Sequence, residues 1–347
     1  MKTKIYKIDE NEINSESLDF IAEELRSGKL VAIPTETVYG LGANGLDAAA
    51  VKKIFVAKNR PMDNPLILHI ADIDQIGQLT KNVNQEDLDK LERLWPGPLT
   101  VIFEKSDIIP DEVSCGLNTV AIRIPNHKIC HEFLKRTKVP VAAPSANLST
   151  KPSPTRAQDV IEDMDGRIDY IIDGGPCEIG LESTVLDLSS ENPTILRPGY
   201  YTKEDLSSYW PNVSYDTALK DQNQTPKSPG QKYKHYAPNA QVEVYIGNKE
   251  AFKKIVESKL EDKSKKIGIM AFEEDKVDNK ISEYISLGSI NDLSTMGQKI
   301  FTSLREMDHK EIDLILIHGV EEKSFGISIM NRLRKSASGR VFNLEEI

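Results

Sequence analysis

The chain has 347 residues, 39% hydrophobic and 28% charged, with a net charge of −10. That length predicts two domains of common size, and the acidic balance argues against a broad, non-specific nucleic-acid binder while leaving room for a local basic cleft. No apolar run reaches membrane-spanning length and MKTKIYKIDENEIN lacks a signal-peptide core; three scattered cysteines (Cys115, Cys130, Cys177) without a C-x-x-C pair exclude a zinc ribbon and fit a reducing, cytoplasmic setting.

Taken in order, Ser15 to Ser27 carries Leu18, Ile21, Ala22 and Leu25 on a helical stripe, and Gly28 supplies a left-handed end. Strands are predicted over 29–33, 65–70, 99–104, 119–124, 139–143, 169–173, 183–188 and 194–197, with helices over 47–57, 86–94, 127–137 and 156–163. This mixture of crossovers and hairpin-like neighbours predicts a mixed, twisted α/β sheet. After Pro198-Gly199 the pattern decays, and 211–240 has the composition of a linker. Its second half packs Lys227, Lys232, Tyr233, Lys234, His235 and Tyr236 around Pro229-Gly230, a basic-aromatic cluster that a plain spacer does not need. A second alternating unit follows: strand 241–246, helix 249–260, strands 265–270 and 283–286, helix 293–307, strand 312–317 and helix 326–336. The expected division is a domain over 1–207, a linker or lid over 208–240, and a smaller open α/β domain over 241–347.

The densest chemistry lies between Pro34 and His69, read as strand, loop, helix, loop, strand. Gly40, Gly42 and Gly45 spell G-x-G-x-x-G before a helix that Asp47 can cap. A dinucleotide fold nevertheless needs those glycines directly after the strand and an acid about 20 residues on. Here Pro34-Thr35-Glu36-Thr37 intervenes, and the later loop carries Lys58 and Arg60 instead. No G-x-x-x-x-G-K-[ST] P-loop exists.

Other polar groups gather near predicted strand ends, where open α/β sheets bind ligands. Thr35, Thr37 and Tyr39 follow the first strand; Asn64 and His69 flank the next. Each has an ordinary alternative: threonine and tyrosine favour strands, and Lys58 and Arg60 suit a helix C-terminus. Pro144-Ser145-Ala146-Asn147 follows the strand ending at Ala143, and Ser149-Thr150-Lys151-Pro152-Ser153-Pro154-Thr155 is a hydroxyl-rich loop, either a phosphate wrap or a turn. Arg123 and Arg197 close two strands, placed either to clamp an anion or to pair on the surface. Glu182-Ser183-Thr184 opens another strand. Together the four cations and hydroxyls suit an anionic, phosphate-bearing substrate. With no Ser-His-Asp pattern and no zinc set, positioning and electrostatics would carry a reaction.

At these residues the chain resembles the YrdC-type threonylcarbamoyl-AMP synthases in their longer, two-domain form. The resemblance rests on PTETVYGLG at 34–42, KNRP at 58–61, NPLILHI at 64–70, PSAN at 144–147, ESTV at 182–185, LRPG at 196–199, SPGQKYKHYAP at 228–238 and IMNRLRKSA at 329–337. It implies a YrdC-like mixed twisted sheet followed by a Rossmann-like open α/β domain. It also implies a reaction in which L-threonine, bicarbonate and ATP, with Mg²⁺, give threonylcarbamoyl-adenylate and pyrophosphate. The product would serve N6-threonylcarbamoyladenosine formation in tRNA that reads ANN codons, with a separate transferase and transient tRNA contact. By motif, Lys58 and Arg60 would be catalytic phosphate ligands, joined around ATP by Asn64, Thr119, Ser145, Asn147, Ser153, Arg197, His235 and Tyr236. Thr35, His69, Arg123, the Ala143 backbone and Ser183 would form the threonine pocket, with the metal held mainly by ATP phosphates. The competing readings are an RNA-binding module, a nucleotide sensor, and a hydrogenase-maturation carbamoyltransferase, whose zinc fingers need many more cysteines.

Overall fold

Asn14 starts the helix Ser15–Arg26 by accepting a hydrogen bond from the Ser17 amide, and Leu18, Ile21, Ala22 and Leu25 bury its stripe. Asp47 caps Ala48–Lys58 through the amides of Ala49 and Ala50, and Asn59 ends it in the left-handed conformation. The computed structural model describes residues 2–219, 236–275 and 283–344. The chain divides into two compact units, Met1–Ser149 with Ser153–Tyr233, and Thr150–Pro152 with Lys234–Ile347.

Among the described residues, the first unit holds an eleven-stranded sheet. Its strands are β1 (Lys4–Lys7), β2 (Val31–Ile33), β3 (Gly40–Asn44), β4 (Ile67–His69), β5 (Leu99–Glu104), β6 (Thr119–Arg123), β7 (Val141–Ala142), β8 (Tyr170–Asp173), β9 (Thr184–Asp187), β10 (Thr194–Arg197) and β11 (Ser214–Tyr215). They lie in the order β1-β8-β2-β3-β7-β4-β6-β5-β9-β10-β11. Pairing is mixed, as expected: β4 runs parallel to β6 but antiparallel to β7, and β5 antiparallel to β6 but parallel to β9.

One expectation fails at β3. The glycine-rich stretch read as a loop is a strand, paired antiparallel with β2 on one side and β7 on the other. Its glycines keep neighbouring chains close. A Cβ on Gly42 would sit 2.8 Å from Val141 Cγ1, and one on Gly45 2.6 Å from Leu68 Cδ2 and 2.8 Å from the Pro140 carbonyl. The G-x-G-x-x-G spacing therefore reports strand packing, and no side-chain alternation advertised it. The expected linker also begins later, because 208–219 packs with the first unit. Trp210 is buried there and donates from Nε1 to Asp87 Oδ1 at 2.8 Å, and β11 extends the sheet. The basic-aromatic cluster from Lys227 to His235 lies outside the described residues.

Among the described residues, the second unit holds a five-stranded sheet in the order β14-β13-β15-β12-β16, from β12 (Gln241–Ile246), β13 (Ile267–Ala271), β14 (Tyr284–Ser286), β15 (Leu314–His318) and β16 (Val341–Asn343). Every pairing in it is parallel, and β13 and β15 are buried along their whole length. That is the pattern of a sheet covered on both faces, here by the helices Lys249–Leu260, Leu293–His309 and Phe325–Ser336. It matches the predicted open α/β layer, with β16 added. Among the described residues no helix is long and apolar enough to cross a membrane.

The packing around β3 makes a testable demand. Gly45→Ala should lower unfolding free energy in urea by about 1–3 kcal/mol through overpacking. Gly77→Ala, where a new Cβ meets nothing within 4 Å, should leave stability unchanged or slightly raised.

Candidate active site

Strand alternation aims side chains to one face or the other, and the register identifies which residues share a face. His69 lies opposite Arg123, and Ile67 opposite Ala121. Ala121 lies opposite Ile102, Thr100 opposite Val185, and His69 opposite Val141. His69, Arg123 and Thr119 therefore face the same way as Ile67, Ile102, Ala121 and Val185. Ala143 and Ser183 continue that face, two residues beyond Val141 and two before Val185. The alternating set, including Leu68, Val101, Val120, Ile122 and Leu186, enters the main core on the other side. On the near face Ile67, Ile102, Ala121, Val185 and Leu196 make a small separate apolar floor. His69 and Arg123 close β4 and β6 on this face, while Thr35, Asn64, Ser145 and Asn147 lie in the loops that flank β2, β4 and β7.

Two sets of polar residues belong to this part of the first unit. In the first, Arg123 is buried and donates from Nη1 to Thr37 Oγ1 at 2.8 Å. Its Nη2 lies 2.7 Å from Glu36 Oε2, an ion pair rather than an aligned hydrogen bond. Thr35 accepts from the amides of Thr37 and Val38 and donates to the Val38 carbonyl, which locks the turn carrying Glu36. Burial and the Arg123 charge push His69 down to about 3, so its imidazole is neutral near pH 7. Glu36 was not singled out from the sequence. The available signal was an acid inside a run of apolar and hydroxyl residues, where a charge without solvent must find a partner.

The second set surrounds the loop after β7. Lys58 Nζ donates to the carbonyls of Ser145 and Asn147, both at 2.5 Å, and lies 3.4 Å from Asn147 Oδ1. Ser145 Oγ donates to Asn147 Oδ1 at 2.5 Å. The ammonium expected to meet phosphate therefore also organises the Pro144–Asn147 turn. Arg60 Nη2 donates to the Asn64 carbonyl at 3.0 Å, while the buried Asn64 Oδ1 has no hydrogen-bond partner among the described residues. Arg197 donates from Nε to the Ser183 carbonyl at 3.0 Å and from Nη2 to Ser183 Oγ at 3.1 Å. Ser183 Oγ lies 2.7 Å from Thr100 Oγ1.

The remaining predicted residues are more dispersed. Ser153 is buried and donates to Glu182 Oε1 at 2.6 Å. Thr119 opens β6, about 13 Å along the strand from Arg123 at 3.3 Å per residue. The hydroxyl-rich loop is divided, since Thr150–Pro152 belongs to the second unit. There the Thr150 carbonyl accepts from the Ala237 amide at 2.9 Å, and the Pro152 carbonyl from Arg305 Nη2 at 2.6 Å. Tyr236 also belongs to the second unit, its ring 4.9 Å from that of Phe301; His235 lies outside the described residues. Burial pushes the thiols of Cys130 and Cys177 up, which makes them poor nucleophiles. The arrangement offers buried cationic and hydroxyl groups for orienting anions, and its chemistry is that of positioning.

The neutral His69 has a consequence for stability. Its pKa is lower folded than unfolded, so its contribution is complete above about 6.5 and is lost as pH falls toward 3. Unfolding free energy should drop by up to about 1.4 kcal/mol per pH unit in that window through this group. His69→Gln should reduce the slope, read from urea denaturation at stepped pH.

Comparison with known proteins extends this picture. A sequence model of the Sua5–YciO–YrdC family, described as telomere recombination, matches residues 23–199. A second, described as the threonylcarbamoyl-AMP synthase C-terminal domain, matches 201–338. The threonylcarbamoyl-AMP synthase of Pyrococcus abyssi is 44% identical over 324 residues, covering 92% of this chain and 94% of that protein. The enzyme of the same name from Bacillus subtilis is 43% identical over 346 residues, covering 98% and 99%. The crystal structure of P. abyssi Sua5 complexed with L-threonine superposes with a TM-score of 0.93 at 42% identity, covering 98% of this chain and 99% of that one.

Proposed function

The chain belongs to the threonylcarbamoyl-AMP synthase family in its two-domain form, and from that premise we propose that its site joins L-threonine, bicarbonate and ATP into threonylcarbamoyl-adenylate and pyrophosphate. The observation that carries the reading is the shared sheet face. By register and alternation Arg123, His69, Ala143 and Ser183 share the sheet face that carries Ile67, Ile102, Ala121, Val185 and Leu196, which suits a small hydroxy-amino acid. The turn held by Lys58, with Arg60, Asn64 and Arg197, supplies groups for phosphate.

In this reading Arg123 takes the amino acid's carboxylate, a charge-assisted contact that fixes the molecule in the plane of the guanidinium. Ser183 orients the substrate, Thr35 holds the turn beside it, and neutral His69 serves its hydroxyl as a hydrogen-bond partner rather than a charge. The amine and bicarbonate give a carbamate and water. A carbamate oxygen then attacks the α-phosphorus of ATP, and pyrophosphate leaves. Negative charge grows on the phosphate oxygens, where Lys58, Arg60 and Arg197 stabilise it. Asn64, Thr119, Ser145, Asn147 and Ser153 complete the nucleotide set. Mg²⁺ carried by the nucleotide would neutralise charge on its phosphates. Glu36 faces Arg123 and Glu182 accepts from Ser153. The product would pass in the cytoplasm to a transferase that modifies tRNA reading ANN codons.

Pyrophosphate release from ATP and Mg²⁺ should require both threonine and bicarbonate. Lys58→Ala and Arg60→Ala should each cut it by about 10²–10³ without unfolding the first unit. ATP binding with no amino-acid-dependent release would favour a sensor, and salt-dependent tRNA binding without turnover an RNA-binding module.

A further inference from the structure

Glu36 is an unusual residue to find 3% exposed, and it faces a partner that is equally buried, Arg123 at 3%. The turn that presents it is rigid. Thr35 Oγ1 is bonded to the Val38 carbonyl and to the amides of Thr37 and Val38, and the Glu36 carbonyl accepts from the Ile179 amide at 2.8 Å. The pair is nevertheless incompletely satisfied. Glu36 Oε2 lies 2.7 Å from Arg123 Nη2, but Glu36 Oε1 and Arg123 Nε have no hydrogen-bond partner among the described residues. Each such buried group typically costs about 1–3 kcal/mol until something fills it. One unpaired acceptor on an anion and one unpaired donor on a cation therefore belong to the same ion pair.

We infer that Glu36 receives the α-ammonium of the amino-acid substrate, so that Glu36 and Arg123 together form a seat for the zwitterion. The inference rests on the reading of this cleft as an amino-acid site and assigns a partner to a group that reading leaves unassigned. An α-amino acid carries its ammonium and carboxylate on one carbon, and adjacent anionic and cationic groups match that spacing. The carboxylate takes the open Arg123 Nε, and the ammonium takes the open Glu36 Oε1. Titratable side chains around the pair do not compete for the ammonium. Burial and Arg123 push His69 down, burial pushes His127 down, and the Cys130 and Cys177 thiols are pushed up, so all four are neutral near pH 7. Asp159, farther along, is committed to Arg156 and to the amides of Thr155 and Arg156. The Thr35 and Thr37 hydroxyls are occupied by the turn and by Arg123.

The test compares threonine with 3-hydroxybutyrate, which keeps the carboxylate, hydroxyl and methyl and lacks only the amine. In calorimetric titrations of the full chain, Glu36→Gln should weaken threonine binding on the order of 10–100-fold, as expected for losing a hydrogen bond to a charged group. The same substitution should leave 3-hydroxybutyrate unchanged or tighter, because a repelling carboxylate has gone. Glu36→Asp should retain the preference for the amine-bearing ligand. Equal weakening of both ligands would mean that Glu36 only holds Arg123, and no weakening of threonine would remove it from the site; either result overturns the inference. If the Gln variant does not fold, the wild-type chain answers instead. There, threonine should bind on the order of 10–100-fold tighter than 3-hydroxybutyrate; equal affinity for the two ligands overturns the inference. Wild-type protein that binds no threonine would overturn the reading of the site itself.

Discussion

A guanidinium with almost no access to water must be answered by the protein around it, and Arg123 is answered by the Glu36 carboxylate and the Thr37 hydroxyl. Removing one member of such a pair leaves a buried charge and typically costs about 3–5 kcal/mol. The turn after β2 is therefore tied to the end of β6, although the two strands are separated in the sheet by β3, β7 and β4. Within β3, a Cβ on Gly42 would lie 2.8 Å from Val141 Cγ1, so the strand packs beside β7 only without a side chain there. The Thr35 hydroxyl spends its hydrogen bonds inside the turn, which makes it part of the frame.

The cations of the site differ in what already surrounds them. Lys58 points into carbonyl oxygens of the Pro144–Asn147 turn, so its charge shapes that turn before any ligand arrives. Arg197 is bonded to Ser183 through both backbone and side chain, which couples the end of β10 to the start of β9. A phosphate entering such a cluster meets groups whose directions are already set, and electrostatic catalysis depends on that lack of reorganisation. The neutral state of His69 follows from the same crowding, because a second cation beside Arg123 in a dry pocket is disfavoured.

The second unit is built on different principles. Its sheet is wholly parallel, and its ends are fastened by a buried polar contact: His318, closing β15, lies 2.8 Å by Nδ1 from Asp275 and 3.0 Å by Nε2 from the Gly247 carbonyl after β12. The imidazole also stacks on Phe252 at 4.5 Å. These contacts join two strand ends and the turn after β13, a framework role with no ligand required to explain it.

Much of this protein is legible without coordinates. Helical stripes such as Leu18, Ile21, Ala22 and Leu25 and short apolar runs specify their elements, because burial demands a period that matches the backbone. The residue types and order of PTETVYG, KNRP, PSAN, ESTV and LRPG point to an anion-handling site. Three things were decided only by tertiary structure. Gly40–Asn44 became a strand through pairing on both sides, and glycine carries no alternation from which to foresee it. Arg123, His69 and Ser183 came to share one sheet face through cross-strand register, a property of neighbours far apart in the chain. Glu36 became Arg123's partner because burial left each charge without water, and burial depends on everything that packs around a residue rather than on the residue itself.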